Sequence, residues 1–152
     1  MRINVVPATP EHVADLAPRL RQADADEVWA SGRYRPDEAL RLSLALSLKA
    51  WAGLVDDVPM CVFGVSPVSL MSGHGAPWML GAEGLERHAV PFLRRNRAYV
   101  AEMLALCPRL ENHVDARNAL SVRWLQWLGF LIHPAAPFGP FGVPFHRFTM
   151  GM

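Results

Sequence analysis

The sequence lacks the features that are typical of membrane proteins and of proteins in oxidising compartments. Two cysteines occur in 152 residues, Cys61 and Cys107, and they stand far apart within apolar runs. We expect both to be buried, reduced thiols rather than a disulfide or a nucleophile. Pro, Gly or charged residues interrupt every apolar run well short of the roughly 20 residues of a transmembrane helix. The first residues, MRINVVPATPEH, lack the apolar core of a secretory signal. We therefore expect neither a membrane span nor a secretory signal.

A surplus of charge is also lacking. The 15 Lys and Arg residues nearly balance the 14 Asp and Glu residues, which leaves a formal net charge of +1. This balance offers no broad field to attract nucleic acid, so we expect no direct nucleic-acid binding. The six histidines show neither His-x-His nor His-Glu-x-x-His spacing, and we expect no metal site. No serine-hydrolase motif or phosphate-binding P-loop is recognisable.

The sequence does have enough apolar residues for one packed domain. Hydrophobic residues make up 51% of the chain, which argues against disorder and predicts a single domain over 1–152. Short β-branched runs alternate with amphipathic ones. We predict strands at 3–6, 51–55, 59–65, 76–80, 110–114, 130–133 and 144–150. We predict helices at 10–20, 23–30, 36–48, from 88–91 to 106, and 119–128, with loops at 66–75 and 134–143.

The run at 36–48 is ambiguous. Leucine occupies every second position from Leu40 to Leu48, and that alternation taken alone favours a strand. The Pro36-Asp37-Glu38 opening and the content of Ala and Leu instead favour a helix. In a helix these leucines would spread around most of the circumference, which predicts burial on more than one face.

The most informative stretch is 110–130, LENHVDARNALSVRWLQWLGF. It predicts a short strand and then a turn in which Asp115 and Asn118 cap the following helix. Apolar residues recur at helical spacing from Leu120 to Leu128, and Gly129 ends the helix because it adopts the left-handed conformation at little cost.

The same stretch resembles the late β-α-β segment of the GNAT acetyltransferase superfamily. The residues that carry the resemblance are Asn118, Ser121, Trp124 and Leu128-Gly129-Phe130. The eleven positions from Asn118 to Gly129 fit the pattern. With its ending GVPFHRF, the whole chain is also similar to the GNAT-like proteins of short-tailed bacteriophages, the internal virion protein A-like family.

The resemblance implies an α+β (α/β/α) fold. Its central sheet would be mixed and mostly antiparallel, with helices on both faces and with strands four and five splayed apart. In GNAT enzymes that gap receives the pantetheine arm of acetyl-CoA, the cofactor implied here, because parted strands leave backbone N–H and C=O groups for a ligand amide. The positions implied to contact the cofactor are Leu80, Gly81, Gly84 and Asn118.

The sequence departs from the family at the phosphate cradle, where Gln or Arg, two spacers and Gly-x-Gly or Gly-x-Ala are usual. Trp78 stands in place of the Gln or Arg, and the spacing of Gly81 and Gly84 does not match. Glu83 adds a carboxylate where phosphates would lie, and like charges repel. The segment is either an ordinary strand-to-helix turn or a divergent cradle.

The usual proton donor is missing as well. Leu125 stands where many GNAT enzymes have a Tyr, and the two tyrosines, Tyr34 and Tyr99, lie elsewhere in the sequence. His113 and Asp115 are the candidate catalytic residues. Their i, i+2 spacing on a strand places them on one face, and a His beside a carboxylate can act as a base near neutral pH. A strand-end His bonded to a capping Asp is the structural alternative.

Two further features have two interpretations each. Arg94, Arg95 and Arg97 would bind a CoA phosphate or an acidic partner, or would form a solvated basic face. The loop at 138–145, with three phenylalanines, would form a contact surface or would cover the core.

Two functions follow from the resemblance. The first is a phage GNAT-fold protein with a degenerate acetyl-CoA site, acting in virion assembly or as an internal or structural virion protein, with other phage structural proteins as partners. The alternative is an active acetyl-CoA-dependent N-acetyltransferase of an unknown amine. Either function implies a location in the virion or in the cytoplasm of the bacterial host.

Overall fold

The computed structural model describes residues 1–69 and 71–151. Its strands are β1 (Ile3–Pro7), β2 (Lys49–Val55), β3 (Val58–Ser69), β4 (His74–Gly81), β5 (Arg109–Asp115), β6 (Leu131–Phe138) and β7 (Val143–Gly151). Its α-helices are α1 (Pro10–Leu16), α2 (Gln22–Gly32), α3 (Pro36–Leu46), α4 (Ala89–Leu106) and α5 (Ala119–Leu128). Short 3₁₀ turns occur at Ala17–Arg19 and Leu85–His88. No helix in the described ranges combines the length and apolar character that crossing a membrane requires.

The strands form one sheet in the order β1-β2-β3-β4-β5-β7-β6. Every neighbouring pair is antiparallel except β4 and β5, which run parallel. These two strands pair only at their starts, where His74 lies opposite Arg109 and Gly75 opposite Leu110. Beyond that point they part, which confirms the predicted splay. The gap widens toward Gly81 and Asp115, the last residues of the two strands.

Helices cover both faces of the sheet, so the predicted α+β architecture is confirmed. On one face α4 and α5 pack over a core that includes Phe63, Phe92 and Trp124. On the other face α1 and α3 pack over a second core that includes Leu16 and Leu40. Adjacent residues of β2 and β3 alternate between the two cores, as side chains do along a strand. The sheet, and with it the gap between β4 and β5, is thus enclosed from both sides.

Local signals in the sequence set the ends of several elements. Thr9 caps α1 and accepts from the His12 N–H, while Pro10 takes the first helical position. Gly129 ends α5 with a φ of 103°. Asp56 and Asp57 both take positive φ and turn β2 into β3, as the predicted hairpin requires. These predictions are confirmed.

Three predictions about regular structure need correction. The run at 36–48 is helical only to Leu46, and it does not bury several faces: Leu40 is 0% exposed, but Leu46 is 64% exposed. The loop at 66–75 is largely strand, since β3 continues to Ser69 and β4 begins at His74; residue 70 lies outside the described residues. The first half of the loop at 134–143 is part of β6, because the pairing with β7 continues past a register shift.

The segment at 138–145 covers the core in part, and whether it also forms a contact surface stays a prediction. Phe145 is buried, and Phe138 packs against it with ring centroids 5.1 Å apart. Phe141 is 50% exposed and stacks on Trp29 of α2 at 6.1 Å. The hairpin between β6 and β7 therefore packs against α2, while the Phe141 side chain remains accessible.

The two cysteines are buried and unpaired, as predicted. Burial raises the pKa of the Cys61 thiol to about 12. A thiol with so high a pKa is not a nucleophile at neutral pH, and Cys61 therefore belongs to the core.

Candidate functional site

A cavity of about 450 Å³ lies in the gap between β4 and β5. α2 and α3 contribute lining residues on one side of the sheet, and α4 and α5 contribute them on the other. The lining is mainly apolar, and it contains Leu125 and Leu128 at the positions of α5 that face the gap. The volume falls within the range of about 300–1,000 Å³ that is usual for small-molecule sites.

At the narrow end of the gap, a single side chain joins the two strands. The Asn112 Nδ2 donates to the Pro77 carbonyl of β4 at 2.9 Å. The Asn112 Oδ1 accepts from the His113 N–H of β5 at 2.8 Å. A carboxamide has the same donor and acceptor as a peptide group. The Asn112 side chain therefore replaces the backbone hydrogen bonds that β4 and β5 would otherwise form with each other here. Pro77 and Gly81 both turn backbone groups into the gap, and by strand alternation the peptide of Met79 between them does so too.

At the wide end, polar side chains close the gap. We call them the carboxyl cluster: Asp24 and Glu27 of α2, with Asn118. The Gly81 N–H at the end of β4 donates to Asp24 Oδ2 at 2.9 Å, and the Asp115 N–H at the end of β5 donates to Glu27 Oε1 at 2.8 Å. The Asn118 Nδ2 donates to both carboxyls, at 2.9 Å to Asp24 and 3.3 Å to Glu27.

The electrostatics of the carboxyl cluster favour protonation. Burial raises the pKa of Asp24, against the lowering effect of the Arg21 guanidinium 3.0 Å away. Burial and then the neighbouring Asp24 charge raise the pKa of Glu27 to about 8. Both hydrogen bonds to Glu27 use Oε1, which leaves Oε2 to carry the proton. Glu27 lines the cavity, so it presents a group that can hold or accept a proton near neutral pH.

Sequence reasoning missed Asp24 and Glu27. Their i, i+3 spacing places them on one face of α2, but no local pattern shows that this face packs against the ends of β4 and β5. Tyr34 lies outside α5, where many GNAT enzymes have their Tyr, yet it lines the cavity from the connection between α2 and α3. A phenol there is a second group that could donate a proton.

The turn after β4 has no free amides at its start. The Gly81 N–H donates to Asp24, the Ala82 N–H to the Met60 carbonyl at 2.8 Å, and the Glu83 N–H to the Arg19 carbonyl at 2.9 Å. The Glu83 carboxylate in turn accepts from the first N–H of α2, that of Gln22, at 2.8 Å. A diphosphate at this turn would have to replace these bonds and approach two carboxyls. The residues present therefore do not fit the diphosphate of CoA.

The other predicted cofactor positions have roles within the fold. Leu80 is buried in the core beneath α1 and α3. Gly84 takes a φ of 86° in the turn, a conformation that favours glycine. Asn118 does not cap α5 with its side chain, contrary to the prediction. Its side chain instead points into the carboxyl cluster, because buried Asp24 and Glu27 need donors.

The structure does not bring His113 and Asp115 together as a pair. Among the described residues no hydrogen bond joins them, whether as a catalytic pair or as a cap. The Asp115 carboxylate binds Arg117, with its shortest contact at 2.6 Å. The His113 ring stacks on Phe138 at 4.0 Å, and burial lowers its pKa. His113 lines the cavity and is the member of the pair that a ligand could reach.

Two of the three arginines on α4 make contacts within the chain. Arg97 lies 3.7 Å over the Trp127 ring and donates to the Trp127 carbonyl at 3.2 Å. Arg95 donates to the Pro91 carbonyl one turn earlier, at 3.1 Å. These contacts hold two of the side chains on the surface of the helix pair α4 and α5.

Comparisons with known proteins agree with this architecture. No family model matches the sequence, and no curated protein matches it significantly. Solved structures do match. A GNAT-family acetyltransferase from Streptococcus pneumoniae is 13% identical, with a TM-score of 0.68 over 99% of this chain and 100% of that one. The ribosomal-protein-alanine N-acetyltransferase of Brucella melitensis is 12% identical, with a TM-score of 0.71 over 98% and 99%.

A third match is the aminoglycoside acetyltransferase AAC(6')-Ib, solved with coenzyme A. It is 13% identical, with a TM-score of 0.69 over 99% of this chain and 95% of that one. None of these three proteins is described as a phage protein, so the virion role stays a prediction. Sequence identities this low show the fold and not the activity. The chain has the GNAT fold.

Proposed function

We propose that this is a GNAT-fold protein with a degenerate acetyl-CoA site, serving in virion assembly or as a virion-associated structural protein of a short-tailed bacteriophage. One observation carries the degenerate site. The amides of Gly81, Ala82 and Glu83, which begin the phosphate cradle, are all bonded to acceptors within the chain. The support for the phage role is the resemblance of the whole sequence.

Charge strengthens this proposal. The acceptor for the Gly81 N–H is the Asp24 carboxyl, a group of the same sign as a phosphate when ionised. Glu83 adds a second carboxylate beside the same turn. A diphosphate would thus lose hydrogen bonds and meet repulsion at the same place.

Calorimetric titration of the full chain with acetyl-CoA tests the degenerate site. We expect no binding at micromolar to millimolar cofactor. A positive control is the double variant Asp24→Asn/Glu83→Gln, which removes both carboxylates and should bind more tightly than the natural chain if charge is the obstacle. Micromolar binding by the natural chain would overturn the proposal.

Mass spectrometry of purified particles tests the virion role. Phage that encodes this chain should carry it at a fixed copy number that resists high-salt washing. Two results together would contradict both an assembly role and a structural role. They are natural particles that lack the chain, and normal particle assembly after deletion of its gene.

A second function has its own support. The cavity between β4 and β5 is retained, and Glu27 lines it with a pKa near 8. In an N-acetyltransferase, Glu27 would accept the proton of an amine acceptor. Thiol release from acetyl-CoA in the presence of a panel of primary amines is the test. Turnover that falls at least a hundredfold in Glu27→Gln would favour this function over the first.

A further inference from the structure

The arginines of the helix pair α4 and α5 lack acidic partners. The two helices contain four arginines and one acidic residue, Glu102, which forms an ion pair with Lys49 of β2. Eight basic side chains elsewhere form ion pairs. Among the residues that the structure describes, none of these four arginines does. The helix pair therefore has a local positive charge that the net charge of +1 for the whole chain conceals.

Three of these arginines lie on the same side of the helix pair as a tryptophan. The Arg97 guanidinium lies 3.7 Å from the centroid of the Trp127 ring. Arg94 precedes Arg97 by nearly one turn of α4, and Arg123 precedes Trp127 by one turn of α5. The two helices run in the same direction, because each follows one of the parallel strands β4 and β5. We call Arg94, Arg97, Arg123 and Trp127 the arginine patch.

The arginine patch is open to a partner. Arg94 and Arg123 are exposed, and neither side chain forms a hydrogen bond with the described residues. Trp127 is 42% exposed, and Val90, one turn before Arg94, is 58% exposed. Apolar surface beside guanidinium groups is typical of the centre of protein interfaces, where Trp and Arg often supply much of the binding energy.

The charge and size of the arginine patch indicate the class of partner. Each guanidinium can bind a carboxylate through two parallel hydrogen bonds, so a short segment with several Asp or Glu residues matches it. A nucleic acid matches it less well, because affinity for phosphates depends on many basic contacts and the patch offers few. The Arg97 guanidinium also covers one face of the Trp127 ring, on which a base would otherwise stack.

We propose that the arginine patch binds an acidic segment of another protein, whose apolar side chains between carboxylates pack on Trp127 and Val90. This proposal rests on the proposed function, because it assigns the surface through which the chain would join another structural protein of the particle. Of the interpretations that the sequence left open for the arginines of α4, it selects the acidic partner over a CoA phosphate.

Fluorescence anisotropy with the full chain and a labelled acidic peptide tests the surface. The peptide consists of repeats of Glu-Glu-Leu-Glu, and we expect saturable binding that weakens as salt is added. A matched peptide of Gln-Gln-Leu-Gln repeats should bind on the order of tenfold more weakly, as the loss of several exposed ion pairs predicts. A labelled oligothymidine of equal charge should also bind more weakly. Equal affinity for the two peptides, or tighter binding of the oligothymidine, would overturn the proposal.

A charge-matched pair of variants locates the binding surface. Arg94→Gln/Arg123→Gln removes two charges of the patch and should weaken binding of the acidic peptide by about tenfold. The control Arg35→Gln/Arg95→Gln removes the same charge at exposed positions outside the patch, since Arg95 lies on the opposite flank of α4 from Arg97. It should leave the affinity nearly unchanged. Equal losses in the two variants would show that net charge alone drives binding, and would overturn the proposal.

Incorporation into particles separates this proposal from the proposed function. Phage that encodes Arg94→Gln/Arg123→Gln should package the chain at a copy number about tenfold lower, while the control variant is packaged normally. Binding of acetyl-CoA, or natural particles that lack the chain and assemble without it, would overturn the proposed function whatever the peptides do. Normal packaging of both variants in particles that contain the natural chain would overturn only the surface assigned here. Should the patch variant fail to fold, the comparison of the two peptides on the natural chain decides.

Discussion

The two ends of the gap between β4 and β5 are closed by groups of different character. At the narrow end, the neutral carboxamide of Asn112 donates to Pro77 and accepts from His113. At the wide end, the carboxyls of Asp24 and Glu27 accept from the last N–H groups of the two strands. Of the side chains that close the gap, only the carboxyls at the wide end can gain or lose a proton, so only that closure should respond to pH.

This difference bears on ligand choice. A carboxamide reproduces the hydrogen bonds of a peptide without charge, so closure by Asn112 leaves the gap neutral. Closure by buried carboxyls instead places acidic groups at the wide end. Under the function proposed above, these groups would disfavour an anionic ligand there, whereas Asn112 would not.

The largest expected effect comes from removing the buried Asp24 carboxyl. Asp24→Ala leaves Arg21, Asn118 and the Gly81 N–H without their shared partner. The free energy of unfolding should fall by about 3–5 kcal/mol, as for other broken buried ion pairs. Urea denaturation measures it. Asp26→Ala, an exposed neighbour on α2, should change it by no more than about 0.5 kcal/mol, and equal effects would contradict the assigned role of the cluster.

The variant Glu27→Gln tests whether the two ends of the gap between β4 and β5 differ in their response to pH. The pKa of Glu27 is raised from 4.5 to about 8, so between those pH values the folded chain keeps a proton that the unfolded chain releases. The contribution of Glu27 to the free energy of unfolding should therefore be greatest below about 4.5 and fall as pH rises to about 8, by on the order of 1 kcal/mol per pH unit.

In Glu27→Gln the part of that fall due to Glu27 should disappear, while the raised pKa of Asp24 leaves a contribution of the same sign. Denaturation curves at pH 5, 6, 7, 8 and 9 measure the slope. Glu86→Gln, at an exposed position, should keep the natural slope. An unchanged slope in Glu27→Gln would show that Glu27 ionises normally.

A smaller effect is expected at the narrow end. Asn112→Ala removes the link between Pro77 and His113 and should lower the free energy of unfolding by about 1–3 kcal/mol. The loss should be the same at pH 5 and pH 9, since no titrating group is removed. Asn112→Asp keeps the acceptor for the His113 N–H and should recover part of the loss. If the loss of unfolding free energy in Asn112→Ala varied with pH, it would contradict the difference proposed between the two ends of the gap.

The smallest effect is expected at Glu83. Its carboxylate accepts from the first N–H of α2, so Glu83→Ala should destabilise the protein by about 1 kcal/mol, as the loss of a helix cap does. Glu83→Gln retains an acceptor and should cost less. The melting temperatures of the two variants compare them directly, and equal melting temperatures would rule out a capping role.

Sequence patterns predicted the strands and helices, and the family resemblance implied the sheet with its parted strands, but only part of the site was predicted. Sequence reasoning showed that the segment around Glu83 departs from the family's cradle, because charge and glycine spacing are visible in the chain. It paired His113 with Asp115 because strand alternation puts neighbours two apart on one face. It had no means to show that Arg117 takes the Asp115 carboxylate, or that Phe138 stacks on His113.

The sequence by itself determined where elements begin and end, as at Thr9-Pro10, Asp56-Asp57 and Gly129, because these signals act within a few residues. Tertiary structure alone decided what fills the gap. Asp24 meets Gly81 across 57 positions of the chain, and Glu27 meets Asp115 across 88. Such contacts arise only when α2 packs against the ends of both strands, since buried backbone groups bond to whichever side chains the fold brings within reach.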